Sequence, residues 1–535
     1  MTLNSDVAAL RAGPTYIDPK TGFTLDISGM DITRKDILRM VGPREDHEFP
    51  RLESAHLEMK RLEAGDIKNP DENRQVTHFT DRQTYPDSEL FQRVRQFADG
   101  IRADHEIDAV IVNGIGGSAL GPQLLQFAIR GPYWNELSSA VRSGWPRIYF
   151  LDNTDAAGVV DVLAAAEPAH TLTVTISKSG ATQETRNNLI ALEKAYADAG
   201  AEFAANAAAI TMAGSELDRH AREQNWREIF PMAESIGGRT SVTNIVGHVP
   251  AALAGIDFAK FVRAAAYMDK LTRVHDLVGN PAYQLAASWY AAGNGRGDRN
   301  MVVVPYSDRL VLLARYLQQL VMESLGKETD LNGRMVNQGL TVYGNKGGTD
   351  AHAYIQQLQD GRDDFFITFI EPLADAAGIV MEDPRLTMGD YLHAFKSGLT
   401  AALRRKQRKV IDIVINRVDE ENLGMLVALY ERAVAVYAEL IAVNAFNQPG
   451  VQAYKKASRQ VNDVSRQLQD WMASTGRPPL SGTAAFLAEE AGLAGEAAEV
   501  ARILAKFAVN HRQINGKTVS RVYRAREWEY SISGE

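Results

Sequence analysis

The sequence predicts an α/β protein with two domains, each a parallel-type sheet layered between helices. An N-terminal arm and a helical C-terminal extension flank them. Three observations carry this expectation. Short apolar runs such as AVIV (109–112) and MVVV (301–304) lack polar alternation, as strands buried on both faces do. Helical patterns separate these runs. The chain has 535 residues, too many for one typical hydrophobic core.

The elements follow in order. Residues 1–104 are polar and irregular, with turns at DPKTG and PDENRQ, and read as an arm or cap without its own core. From 105 to 285 the first domain runs through DAVIVNGIGGSALGP, PRIYFLDN, TLTVTISKSGATQET and AAAITMAG, each a strand with its turn or following helix start. From 286 to 460 the second domain has MVVVPYS and DFFITFIE as its clearest strands and VLLARYLQQLVMESLG as its clearest amphipathic helix. Residues 461–535 form the extension, with the alanine-rich run AAFLAEEAGLAGEAAEVARILAKFAVNHR and a candidate hairpin, KTVSRVYRAREWEYSI.

Composition excludes several function classes. A net charge of -9 gives no support to broad nucleic-acid binding. The absence of cysteine rules out disulfides, thiol chemistry and cysteine-ligated zinc. The start MTLNSDVAAL lacks the basic end and apolar core of a signal peptide. MLVALYERAVAVYAELIAV (425–443) carries Glu431, Arg432 and Glu439, so it reads as a buried helix and not a membrane span. The expectation is a soluble cytoplasmic protein.

The motifs suggest a site. In NGIGGSALG, Gly114, Gly116 and Gly117 follow a strand directly, where a tight turn or close approach to a phosphate or sugar both fit. The dinucleotide spacing is absent. SKSGATQET places Ser177, Ser179, Thr182 and Thr185 around Lys178, after a strand and at a helix start. Open α/β sheets bind ligands there, and helix-end N–H groups favour an anion. Capping alone needs one or two hydroxyls, so phosphate binding is the favoured reading. IGGRTS puts Arg239 after two glycines, as an oxyanion stabiliser or a surface arginine. Glu323 ends an apolar helix, as a desolvated base or an exposed last-turn carboxylate. His352, in a glycine-rich loop, is an acid–base candidate, and no close metal-ligand cluster accompanies it. Lys455 and Lys456 follow a proline–glycine turn, to reach a substrate oxygen or to face solvent.

Taken in order, GIGGSALGP, SKSGATQET, GGRTS, YLQQLVMESLGK, HAYIQQLQDG and FNQPGVQAYKK resemble the phosphoglucose isomerase family, from about 105 to 460. The resemblance implies two sugar-isomerase-type αβα domains, usually in a homodimer, and aldose–ketose isomerisation of glucose 6-phosphate without cofactor or metal. It makes Glu323 the base between C1 and C2 and Arg239 the arginine near the enediolate. His352, contributed by the neighbouring subunit, and Lys455 assist ring opening, and Glu184 orients His352. Ser177, Ser179, Thr182 and Thr185 hold the phosphate, with Lys178 giving backbone or charge. Gly116, Gly117, Gly238 and Gln448 line the substrate. The chain departs from the family pattern at Gly180, Ala181, Thr240, Pro449 and Gln452, and its tail after about 461 departs from the common ending. Those positions flank the catalytic groups, so they bear on sugar selectivity. A dual phosphoglucose/phosphomannose isomerase and a non-catalytic sugar-phosphate module are the alternatives. A Schiff-base aldolase fits poorly, because Lys455 sits in a helical context.

Overall fold

The computed structural model describes residues 15–39, 51–70, 72–475 and 480–534. The MTLNSDVAAL start and part of the STGRPPLSG loop lie outside them. The chain divides into two compact units between Asn447 and Gln448.

The larger unit begins with β1 (Thr15–Ile17) and β2 (Thr24–Gly29). β2 alternates, burying Leu25 and Ile27 while Thr24 and Asp26 stay half-buried. Five strands follow: β3 (Ala109–Asn113), β4 (Arg147–Leu151), β5 (Thr171–Ile176), β6 (Ala207–Thr211) and β7 (Glu228–Pro231). They form one parallel sheet in the order β4-β3-β5-β6-β7. Every residue of β3, β5 and β6 is buried, the threonines of β5 included, which is why these runs carry no charged side chain. The chain steps from β3 out to β4 and returns across β3 to β5. The loops after β3 and β5 therefore part at the carboxyl edge of the sheet, and NGIGG and SKSG occupy those two loops.

The second sheet is built from β8 (Asn300–Pro305), β11 (Val342–Tyr343), β12 (Phe365–Pro372) and β13 (Lys409–Ile415), all parallel. A small antiparallel pair, β9 (Lys327–Thr329) and β10 (Met335–Gln338), stands apart from it. β2 adds antiparallel to β13, and β1 to β2, extending the order to β1-β2-β13-β12-β8-β11. The stretch read as an arm thus supplies two strands to the second sheet. Phe23, Leu25 and Ile27 join one contiguous core that runs through to Phe446.

The helix Glu420–Leu440 is buried along almost its whole length. Its charges are paired: Glu431 with Arg82 at 2.7 Å, and Arg432 with Asp269 at 3.5 Å. Arg82 also bonds Asp269 at 2.9 Å. Burial pushes the Glu431 carboxyl up to about 7 against the pull of Arg82. Among the described residues, no helix is long and apolar enough to cross a membrane.

Two expected boundaries fall inside helices. Residue 286 lies within Pro281–Ala292, which Asn280 caps by accepting from Ala282 N. Residue 460 lies within the helix Pro449–Ser474. Apolar rhythm marks where strands start and says little about where a compact unit ends.

The smaller unit is mixed and not only helical. It contains the helices Pro449–Ser474, Ala484–Glu490 and Ala497–Val509. Its antiparallel sheet has the order β14-β16-β15, from β14 (Leu480–Thr483), β15 (Lys517–Arg524) and β16 (Glu527–Gly534). The hairpin is the one read in KTVSRVYRAREWEYSI. It has its own core, including Leu468, Leu487, Leu504 and Ile532.

Candidate active site

The SKSG turn is shaped by its own hydroxyls. Gly180 N donates to Ser177 Oγ at 3.1 Å and Ala181 N donates to Ser179 Oγ at 3.2 Å. Gly180 has φ +74°, and a Cβ there would lie 2.3 Å from Leu217 N. Glycine is therefore required at this departure from the family pattern. The helix Gln183–Asp198 begins at Thr182, whose side chain makes no capping bond. Capping is thus not what its hydroxyl does. Thr182 Oγ1 lies 3.5 Å from Ser177 Oγ. One turn on, Thr185 is 3% exposed, and its Oγ1 makes no hydrogen bond among the described residues. A buried, unspent hydroxyl beside a helix N-terminus, with the half-buried Thr182 hydroxyl one turn away, suits an anion. Lys178 turns elsewhere: its Nζ donates to Glu234 O at 2.6 Å and Ile236 O at 3.2 Å. Burial, with the nearby Arg74 charge, pulls this ammonium down to about 8.

The glycine turn after β3 meets the GGR loop. A Cβ on Gly117 would fall 1.9 Å from Gly238 O, and one on Gly116, at φ +60°, would fall 3.0 Å from Gln319 Nε2. Absent side chains let the two loops share a backbone contact. Gly238 itself is exposed, and a Cβ on it would meet nothing within 4 Å.

Beside this contact stands the Arg239–Glu323 pair. Arg239 Nη1 lies 3.4 Å from Glu323 Oε1. Arg239 is buried; its Nη2 donates to Asn447 O at 3.0 Å, and its Nη1 makes no hydrogen bond among the described residues. Burial lowers its pKa from the usual value, opposed by Glu323, and the guanidinium stays charged. Glu323 is half-buried and closes a π-helical turn, Gln318–Glu323. Such turns are rare and recur at functional sites. Lys327 Nζ ties off that turn, donating to Glu323 O at 2.7 Å and Ser324 O at 2.9 Å. Burial, reinforced by Arg239, brings the Lys327 amine down to about 7.

The remaining expected groups are more dispersed. His352 is exposed in the short turn Asp350–His352. Buried Asp350 shapes that turn, accepting from Asn345 N at 2.9 Å and from the Tyr354 hydroxyl. Glu184 lies half-buried in the first turn of its helix. Among the described residues, no hydrogen bond or ion pair joins Glu184 to His352 within one chain. Gln448 and Lys455 belong to the smaller unit, both exposed, with Pro449 at the first helical position, where proline fits. The side chain of Gln452 lies outside the described residues. Sequence reasoning did not single out Gln319, Lys327 or Arg74. Lys327 stands inside the quoted MESLGK motif; Arg74 was hidden in a stretch that reads as a turn.

The fold places the molecule among phosphosugar isomerases. It superposes on a glucose-6-phosphate isomerase from Chlamydia trachomatis with a TM-score of 0.73 at 25% identity, covering 83% of this chain and 89% of that one. A sequence model described as phosphoglucose isomerase matches residues 52–397, and the chain belongs to that family. A glucose-6-phosphate isomerase of Synechococcus elongatus is 42% identical over 93% of this chain and 94% of its own length. One of Geobacter sulfurreducens is 45% identical over 83% and 85%. Ninety-three per cent of 535 residues is about 498, so the cyanobacterial alignment passes residue 461 wherever it begins. The tail, expected to be foreign to the family, is thus shared at least in part with that relative.

Proposed function

We propose that this chain interconverts D-glucose 6-phosphate and D-fructose 6-phosphate, with Glu323 as the base and Arg239 as its electrostatic partner. The observation that carries this reading is the buried Arg239 held 3.4 Å from Glu323, beside the glycine loops and with a donor unspent. Ser177, Ser179, Thr182 and Thr185 anchor the phosphate. Remote binding energy then holds C1 and C2 against Glu323. His352 and Lys455 move protons at the anomeric hydroxyl and ring oxygen to open the ring. Glu323 takes the proton from C2 of the open aldose, giving a cis-enediol or enediolate whose negative charge Arg239 offsets. The same carboxyl returns the proton to C1 while the O2 hydroxyl proton passes to O1, leaving the ketose. The two carbons are adjacent, so one base serves both. No net oxidation occurs, and the chemistry calls for no nicotinamide and no metal. Gly116, Gly117, Gly238 and Gln448 would contact the sugar.

The working form in this proposal is a cytoplasmic homodimer, in which Glu184 of one subunit orients His352 of the other. Two observations support it. His352 is exposed and unbonded to Glu184 within one chain. Leu373, Val380, Met388 and Phe395 form an apolar surface of the kind that marks interfaces, each more than half exposed. A coupled assay supplied with fructose 6-phosphate tests the activity, with mannose 6-phosphate as the selectivity arm. Turnover of the first sugar is expected; turnover of neither sinks the proposal. Sedimentation at assay concentration tests the dimer.

A further inference from the structure

The irregular segment Glu234–Ile236 leads directly into Gly237, Gly238 and Arg239. Lys178 holds it from the phosphate loop, through the carbonyls of Glu234 and Ile236. Arg74 holds it by the carbonyl between them: Nη1 donates to Ser235 O at 3.3 Å. Thr77 Oγ1 adds a bond to Ser235 Oγ at 2.7 Å. Arg74 Nη2 donates to Phe446 O at 3.1 Å, an acceptor shared with Asn69 Nδ2 at 3.0 Å. Its Nε pairs with the Glu72 carboxylate. The next carbonyl, that of Asn447, is the one Arg239 binds. One buried guanidinium therefore ties the segment carrying Arg239 to Phe446, and Arg239 itself binds the next residue, Asn447, the last of the larger unit. A planar fork sets the direction of each of its bonds from separate nitrogens, whereas an ammonium holds its acceptors from one freely rotating nitrogen.

Each nitrogen of Arg74 is bonded to protein, so three of its five N–H donors are spent on holding these segments. We propose that Arg74 is a positioning residue: it fixes where Arg239 stands against Glu323, and it holds the backbone at Phe446–Asn447 just ahead of Gln448. This deepens the isomerase reading and rests on it. A reacting group displaced by about 1 Å loses on the order of 100-fold in rate, which is the scale of effect to look for.

The test uses the full chain as wild type, Arg74→Met and Arg74→Lys. Each is assayed for kcat and KM with fructose 6-phosphate, for competitive inhibition by inorganic phosphate, and for thermal unfolding. Arg74→Met is expected to lower kcat by about 10- to 100-fold, with phosphate inhibition within about 2-fold of wild type. Arg74→Lys, which keeps the charge and loses the fork, should fall between them. A merely structural role would lower the unfolding temperature and the active fraction without this split. Wild-type kcat in either folded variant overturns the inference, and so does a loss confined to KM and phosphate inhibition, which would make Arg74 a phosphate contact. If Arg74→Met does not fold, Arg74→Lys decides by the same criteria. A wild-type chain inert toward both sugar phosphates fails earlier, overturning the isomerase reading and the role of Arg74 with it.

Discussion

At the scale of single residues, the Glu323 carboxylate and the Arg239 guanidinium make opposite demands on one small volume. Glu323→Gln keeps the shape and removes the base. It is expected to lower kcat by about 10²–10⁴-fold or more while phosphate inhibition stays near wild type, measured in the coupled assay. Lys178 and Lys327 yield a prediction with a definite sign. Their folded pKa values, about 8 and about 7, lie below the ordinary 10.5. The folded state then binds fewer protons than the unfolded chain across that interval, and stability rises with pH through it. Lys327→Met should remove part of that rise. Denaturant unfolding at about pH 7 and about pH 10 should show a shallower pH dependence in the variant. Gly117→Ala would drive a methyl into Gly238 O and should destabilise by about 1–3 kcal/mol, with activity lost as the two loops part. Motif order made Glu323 and Arg239 legible as candidates in the sequence. The direction of Lys178 was not legible, because composition and spacing do not say which carbonyls a long side chain will reach. Gly180 looked like a loosened pocket wall and is a steric requirement set by Leu217.

Elements repeat this contrast. The strands β3, β5, β8 and β12 could be read from unbroken apolar runs, because burial on both faces leaves that mark. β1 and β2 were not placed, because β13, the strand on which β2 pairs, is far along the chain and such pairing leaves no local signal beyond alternation. The π-helical turn before Gly326 was also invisible: its sequence is an ordinary amphipathic helix, and only the tie from Lys327 shows how its end is held. In the smaller unit, β15 and β16 join through Ala525 and Arg526, with φ +49° and +71°. Two positive values in a two-residue hairpin loop favour Asn-Gly, and L side chains there are strained. Replacing Ala525→Asn together with Arg526→Gly should raise stability by about 1–2 kcal/mol without changing kcat, read by thermal unfolding and assay.

For the whole molecule, the main core of the larger unit and the separate core of the smaller one set the plan. One spans both parallel sheets and includes the buried helix Glu420–Leu440; the other belongs to the smaller unit alone. Arg82, Asp269, Glu431 and Arg432 form an ionic knot inside the first. Arg82→Met would leave Glu431 without its cationic partner and Asp269 with Arg432 alone at 3.5 Å, at a cost of about 3–5 kcal/mol measured by denaturant unfolding. Two domains were legible from length and strand rhythm. The separate split into compact units at Asn447 was not, because no glycine- or serine-rich linker marks it and a proline-started helix follows at once. That division has a consequence for recombination. A chimera spliced between Asn447 and Gln448 keeps both cores whole, whereas one spliced at 460 cuts a helix. The exchangeable cassette begins with Gln448 and carries Lys455. Swapping tails between relatives would therefore exchange Lys455 together with the smaller core, while Arg239 and Glu323 stay with the recipient.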